Sequence, residues 1–532
     1  MKIINKKFFL LILFLSKYSF SQGLLVRSDH PVYEFLDRNE STGIIENFYN
    51  EVKPLTRTKI ASYLTFLYDQ RTKLNQIERR FLDYYISEFS YDIFGNLDRY
   101  EILIGKDKFD LKSNKPKFIY AYHSPKEFSF FMNSYLSASF KSSNEFRPAN
   151  LIEGGMNFYG SISNFLGYEV DLRNGIVRGQ KEIIKADKDL RYNFKLFEKS
   201  ESKFFDRTFG YLDLEFPFIN IMIGRTRNLI GYGLNKLVLD KNSVPFDILS
   251  FNLSYRHFTF DYFHGWLTAD DRYLNKYIAH HRFSFSPTQR VRIGIGEALV
   301  YFRPSPQIEY LNPFNFYKSI EHSLKDKDNS LLYFDLKFIP HQKIKLYSTF
   351  LIDDIDFEKI GKNWYGNKTA FQIGANYYYP MSEIPVHFTI EYIRIEPYTY
   401  SHRFLMNNYT NNSFPLATDQ PPNSYKLKYQ ILYAPSPFIF LTVDYSFTKM
   451  GKNYIKNGQL INVGGDINLD RRETDSEFVK FLDGEIEKLY SCKISFSYEI
   501  IRDMWFRTNL QYDISSKNYS TLNFSLGLIS FL

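Results

Sequence analysis

The chain holds 532 residues, of which 53 Phe, 43 Tyr and 3 Trp make up 19%, against only 26 Gly, 20 Pro and one Cys. Its formal net charge of +8 falls to about +4 once residues 1–21, with four lysines and no acid, are set aside, so no basic stripe remains to neutralise a phosphate backbone and nucleic acid is not an expected partner. The lone Cys492 excludes an internal disulfide framework and a thiolate zinc cage, and no apolar run approaches the ~20 residues of a membrane-spanning helix.

The longest apolar run, FFLLILFL at 8–15, follows Lys2, Lys6 and Lys7 and precedes Ser19-Phe20-Ser21, a small-x-small cleavage signal. Residues 1–21 therefore read as a secretory signal peptide. No cysteine follows the cleavage site, so a lipid anchor on the mature N-terminus is not expected. An exported, unstapled chain of this length is either several soluble domains or one large β-barrel.

Residues 22–110 carry helical periodicity. Ser28-Asp29 is a capping pair ahead of a helix that starts at Pro31, and Gly43 is a stop. Thr56 caps a second helix carrying Ile60, Tyr63, Leu64, Leu67 and Tyr68, and Leu74, Ile77, Phe81, Leu82, Tyr85 and Phe89 repeat the three- and four-residue spacing. This predicts a small periplasmic helical module whose apolar stripes pack on one another.

From about residue 125 the period changes to two. Phe251, Leu253 and Tyr255 alternate with Asn252, Ser254 and Arg256, and pairing 255 with 258, 253 with 260 and 251 with 262 keeps every aromatic on one face. Arg256-His257 is not a favoured two-residue turn, which predicts a wider one. The same construction recurs at 334–346 and 427–445. Short connections near 256, 286–290, 340–343, 380–385, 434–437 and 500–503 alternate with long ones at 267–279, 303–330, 352–369, 396–425 and 447–489.

Alternating segments of ~10 residues, with short and long connections in turn and aromatics for two girdles, predict an outer-membrane β-barrel over 111–532. Eighteen strands are expected, at 126–140, 152–161, 164–174, 208–216, 217–225, 248–256, 257–267, 279–286, 290–303, 330–339, 343–352, 369–379, 386–396, 425–434, 437–447, 489–500, 503–513 and 520–532. The even count puts both barrel ends on the periplasmic side. In the ninth segment the alternation of Ile293, Ile295, Glu297 and Leu299 points Glu297 at lipid, so a bulge near Gly294 or Gly296 is expected to turn it inward.

Candidate ligand contacts are Arg225, Arg227, Asp247, His281, Arg282, Glu297, Tyr301, Tyr310, Asn312, Tyr317, Asp328, Asn329, Asp353 and Asp354, placed at the outer strand ends and on long loops. Carboxylates and amides hydrogen-bond sugar hydroxyls, aromatic faces stack on sugar rings, and Arg pairs acidic sugars. The competing role for each is a lumen salt bridge that holds a loop in place. His281, Glu297 and Asp353 show neither a zinc-ligand spacing nor a GxSxG nucleophile, and Asp326, Asp328 and Asn329 lack the twelve-residue EF-hand pattern. No catalytic residue, metal or cofactor is expected.

The stretches GRTRNLIGYG at 224–233, VPFD at 244–247, FHGWL at 263–267, AHHRF at 279–283, GEALVYFR at 296–303, EYLNPFNFY at 309–317, DKDNSLLYFD at 326–335 and LYSTFLIDDI at 346–355 resemble the Wzi-type capsule-assembly outer-membrane proteins, in the divergent, Bacteroidetes-like branch of gliding and gut-type Gram-negative bacteria. That resemblance implies an eighteen-stranded barrel with a periplasmic helical bundle, acting as a non-catalytic surface lectin that anchors or organises exported polysaccharide. Its partners would be outer-membrane lipid, surface polysaccharide and other outer-membrane or periplasmic proteins. Two other classes stay open: a subunit of a larger outer-membrane assembly or secretion complex, and a diffusion porin, which predicts conductance.

Overall fold

The computed structural model describes residues 23–105, 108–125, 127–163, 165–179, 190, 194–195, 202–268, 275–325, 327–381 and 383–531; the predicted signal peptide and Asp326 lie outside the described residues. Eighteen long antiparallel strands close into a barrel. In chain order they are β1 (Phe128–Ser143), β2 (Ala149–Ile162), β3 (Leu166–Gly179), β4 (Ser202–Glu215), β5 (Ile219–Thr226), β6 (Phe246–Tyr255), β7 (Phe258–Leu267), β8 (Asn275–Thr288), β9 (Val291–Arg303), β10 (Asn329–His341), β11 (Ile344–Asp354), β12 (Lys368–Met381), β13 (Ile384–Ile395), β14 (Ser424–Ser436), β15 (Ile439–Lys452), β16 (Glu485–Ile501), β17 (Met504–Ser515) and β18 (Ser520–Phe531). The lower part of β1 pairs with the short strand Tyr120–Ser124 and its upper part with β18, from Phe531↔Tyr135 to Asn523↔Ser143. Closure leaves no sheet edge in the apolar layer, where an unpaired backbone group has no water to turn to.

Alternation sets the two faces. Phe283, Ile295, Phe334 and Phe350 are exposed on the outside, while Arg282, Arg292, Asp335 and Lys337 on the same strands are buried inside. The β6–β7 register is the expected one, Tyr255↔Phe258, Leu253↔Phe260 and Phe251↔Tyr262. Its turn is not wider: it is two residues, with Arg256 at φ 53°. The ladders on both sides fix the turn, and local turn preference yields to them. Lys343, Glu383 and Asp503 repeat the device in other short turns, at φ 74°, 70° and 69°.

Four helices precede the barrel: α1 (Val32–Ser41), α2 (Arg57–Asp69), α3 (Gln76–Glu88) and α4 (Ser90–Phe94). Thr56 caps α2 by accepting from the Lys59 N–H, and Asn75 caps α3 by accepting from that of Glu78. Ser28-Asp29 does not cap α1. Pro31 starts that helix with φ −62° and no N–H to satisfy, and Asp29 pairs with Arg27 instead. The predicted stripes do pack together, through Phe35, Leu36, Ile60, Leu64, Phe81, Leu82 and Tyr85, and Ala434 and Phe440 of the barrel complete their core.

The helices sit on the short-turn end. Lys343 N donates to Ser41 O at 2.6 Å, Asn75 Nδ2 to Glu383 O at 3.3 Å and Tyr84 Oη to Glu499 at 3.0 Å. The lumen is not empty. Segments 227–245 and 396–423 fold back into it, locked together by Tyr400 Oη donating to Leu237 O at 2.8 Å and Tyr409 Oη to Val238 O at 2.9 Å. Leu237, Val238, Leu239, Leu416 and Ala417 pack against the wall residues Ile278, Val300, Leu331 and Ile393. Leu229–Ile230 of this plug pairs with Val52–Lys53, which lie between α1 and α2.

Candidate functional site

An inward carboxylate holds the 227–245 part of the plug. In β13, Thr389, Glu391 and Ile393 face the lumen, and Glu391, buried, accepts from Leu234 N at 2.8 Å, Asn235 Nδ2 at 2.7 Å, Tyr347 Oη at 2.8 Å and Gln372 Nε2 at 2.9 Å. Gly233 makes this approach possible: at φ 75° a β-carbon there would overlap the Glu391 carboxylate and the Tyr347 ring.

The helical end is held the same way by charges of opposite sign. Glu51 accepts from Arg292 Nε at 2.5 Å and Arg282 Nη1 at 3.2 Å, while Arg282 also forks onto Asp335 at 2.7 and 3.0 Å. Lys337 reaches Glu40 at 2.6 Å, and Lys345 bridges Asp37 and Glu40 at 2.6 and 2.7 Å. Burial opposes ionisation of Glu51 and Asp37, yet Arg292 and Arg282, and Lys345, hold their carboxyls well below the usual carboxylate range. A cavity of about 290 Å³ lies between helices and plug, lined by Tyr33, Asn50, Lys53, Lys236, Tyr347 and Gln430. Burial, with Lys236 adding to it, pushes the Lys53 ammonium down to about 7.

The outer face of β7–β9 carries the second cluster. The β8–β9 register runs unbroken from Asn275↔Arg303 to Phe285↔Ile293 and shifts only beyond Phe285, near the short turn. The expected bulge at Gly294 or Gly296 is therefore absent. Glu297 stays on the outward face beside His281 and is buried there because the β9–β10 connection, with its short helices Ile308–Leu311 and Tyr317–Ser323, folds down over it. Its carboxylate accepts from Tyr317 N at 2.8 Å and Lys318 N at 3.3 Å, and His281 Nε2 lies 3.0 Å away. Tyr301, also outward and fully buried, shares a hydrogen bond of 2.7 Å with His264 and accepts from Gln307 N at 3.2 Å. Tyr277, Leu299, Tyr301, Tyr310 and Tyr317 form one core.

The predicted site residues do not meet in one place. Arg282 belongs to the lumen. His281, Glu297, Tyr301, Tyr310 and Tyr317 lie under or within the outer covering, where Asp328 accepts from Tyr310 Oη at 2.8 Å and Arg303 Nη2 at 3.0 Å. Tyr301, Tyr310 and Tyr317 are thus interior groups in this conformation and present no face to a sugar. Asn329 donates to Asn407 O at 2.9 Å and Asp353 accepts from Tyr400 N at 2.5 Å, both inside the plug anchorage. Arg227 is half-buried where the plug begins. Arg225 and Asp247 pair at 2.6 Å, half-exposed on the outer wall. Asn312 and Asp354 are exposed.

Other aromatic and cationic groups lie on the long-loop end, where Arg403 and Phe404 are exposed and Lys359, Trp364, Tyr365 and Arg471 half-buried. Loops 355–367, 396–423 and 453–484 are tied by Val479 N to Asn363 O at 2.8 Å, Tyr398 Oη to Asn462 O at 3.0 Å and Lys368 Nζ to Asp470 at 3.0 Å. On this cap Lys359 Nζ stands 3.9 Å from the Trp364 ring, the Arg471 guanidinium 4.8 Å from Tyr365 and that of Arg403 5.3 Å from Phe404. Sequence reasoning missed Trp364, Phe404, Glu51 and Glu391; the inward parity of Glu391 was legible, the donors that converge on it were not.

No protein-family model matches the chain, and no curated protein matches it in sequence. Among solved structures it is similar to Wzi of Escherichia coli, an outer-membrane protein involved in group 1 capsule assembly and described as a carbohydrate-binding β-barrel, with 13% identity, 95% of this chain and 99% of that chain covered, and a TM-score of 0.62. OprD of Pseudomonas aeruginosa matches at 10% identity over 76% of this chain and 95% of that one, with a TM-score of 0.44. The chain is an outer-membrane type β-barrel of eighteen antiparallel strands, like Wzi in fold.

Proposed function

We propose that this protein is a non-catalytic outer-membrane lectin that binds surface polysaccharide and helps to assemble or anchor it. The observation that carries this reading is likeness in fold, over nearly all of both chains, to a barrel described as carbohydrate-binding. The plug supports it: Leu237, Tyr400 and Tyr409 occupy space that a diffusion pore would leave to water. The binding face is the loop cap, where Phe404 with Arg403 and Trp364 with Lys359 offer ring faces and cations to an acidic glycan.

The test is binding of the detergent-solubilised full chain to an array of acidic and neutral bacterial polysaccharides, with Trp364→Ala and Phe404→Ala as variants. Binding that both variants weaken, without a change in melting temperature, is the expected result. Steady ion conductance in planar bilayers with no glycan bound would replace the lectin by a porin. Stable copurifying proteins with no glycan bound would make it a subunit of a larger assembly. Deleting the encoding gene should release surface polysaccharide into the medium while secretion continues.

A further inference from the structure

The outward position of Glu297 points to a second membrane contact, outside the barrel wall itself. Two and four residues below it on the same face, Ile295 and Ile293 are exposed, and Phe334 beside them is exposed as well, so this face of the barrel is turned to lipid. A bare carboxylate there would cost up to a few kcal/mol. Instead the β9–β10 connection covers it. The covering reaches far down: Phe314 stacks on Phe260 with centroids 5.3 Å apart and planes 14° off parallel. Phe260 is only the third residue of β7 above the short turn, and the ring cluster continues below it through Phe258 and Phe285 at 4.6 Å. At about 3.3 Å per residue, ten residues of β7 span roughly 30 Å, so Phe314 is seated low on the wall and not above it.

The outer edge of the covering is apolar apart from the exposed Asn312 and the half-buried Glu309. Ile308 and Phe314 are 76% and 75% exposed, and Leu311 and Phe316 are exposed beside them. Several polar groups at this edge are satisfied internally: Asn315 Nδ2 donates to Glu309 O at 2.7 Å, Asn312 Nδ2 to Asn315 Oδ1 at 3.1 Å, Leu311 N to Gln307 O at 3.1 Å and Ile320 N to Phe316 O at 3.1 Å. That is the condition backbone must meet before it can face hydrocarbon.

We propose that the 304–325 connection is a membrane-seated collar whose edge, Ile308, Leu311, Phe314 and Phe316, lies among lipid acyl chains. Lipid is the occupant because the edge is continuous with the lipid-facing wall through the Phe314–Phe260 stack. The collar turns a charged stretch of outer wall into a buried one and presents the bilayer with rings in its place.

The test uses the full chain with Cys492→Ser, so that one cysteine can be placed and labelled with a fluorophore. Labels at Phe314→Cys, at Ile295→Cys on the bare wall and at Asn457→Cys in an exposed loop hairpin are compared in phosphatidylethanolamine and phosphatidylglycerol vesicles. Quenching at 314 by acyl-brominated lipid to the extent seen at 295, with iodide quenching only 457, is expected. Iodide quenching at 314 without quenching by brominated lipid makes the collar an aqueous loop and overturns the proposal. Energy transfer between labels at 314 of two copies overturns it in favour of a protein interface. If the labelled variant fails to insert, hydrogen exchange of 308–324 in the unsubstituted protein decides: protection in vesicles supports the collar, and open-loop exchange rejects it.

Discussion

His280 and His281 are neighbours in sequence and lie on opposite sides of the barrel wall, and so do Arg282 and His281. Inside, Arg282 and Arg292 are neutralised by whole charges, from Glu51 of the helical region and Asp335 of the wall. Outside, Glu297 is satisfied mainly by two backbone N–H groups and one histidine, under a cover built of rings. The lumen side docks a separate part of the chain through ion pairs. The outer side is sealed by a local connection through packing. Ion pairs tie the inner cover to pH and to the presence of both partners; the outer cover depends on aromatic area and on its solvent.

That contrast is broken most severely at Glu51. Glu51→Ala leaves Arg282 and Arg292 buried with reduced compensation, and loss of one partner of a buried pair costs about 3–5 kcal/mol. Hydrogen exchange over 32–94 should rise sharply while the barrel keeps its folded mobility on unheated gels; unchanged exchange would show that the helices are held by apolar packing alone.

Acid should act in the same direction. Burial works against the charge of Glu88, but His30 and Arg502 hold its carboxyl at about 2, below its ordinary 4.5. A depressed carboxylate contributes stability above its unfolded value and loses it as pH falls through the folded one. Protection of the helices should therefore decline between about pH 4.5 and pH 2, with the outer collar less affected, as exchange measured region by region will show.

On the outer side, Glu297→Ala strands the Tyr317 and Lys318 N–H groups, at a cost of about 1–3 kcal/mol. Faster exchange at 317–324 with no change at 32–94 is the expected signature. Tyr301→Phe removes the hydroxyl shared with His264 and Gln307 and should cost about 0.5–1.5 kcal/mol, read as a small fall in melting temperature. Smallest is Asp247→Asn. Its half-exposed pair with Arg225 is worth about 0.5 kcal/mol, so a large loss of polysaccharide binding in that variant would return Asp247 to the list of ligand contacts.

Period-two alternation and the short–long rhythm of connections were enough to place eighteen strands, because one face of each strand meets lipid and lipid tolerates few exceptions. The helical stripes were legible for a similar reason, and Thr56 as a cap needed only its own three neighbours. Where the sequence reading failed, partners distant in the chain decided. Glu297 obeys the alternation and was expected to break it, since nothing in β9 indicates that residues twenty positions later cover it. Tyr301, Tyr310 and Tyr317 looked like sugar platforms as isolated loop and strand-end rings, and became a core once brought together.

The sequence by itself determined which side of the wall each strand residue occupies, since that depends on parity alone. Only the tertiary structure decided which of those residues are covered and by what. Glu391 holding the plug, Glu51 between two arginines and the collar over Glu297 each bring together segments far apart in sequence, and burial of a charge is affordable only where such a partner arrives.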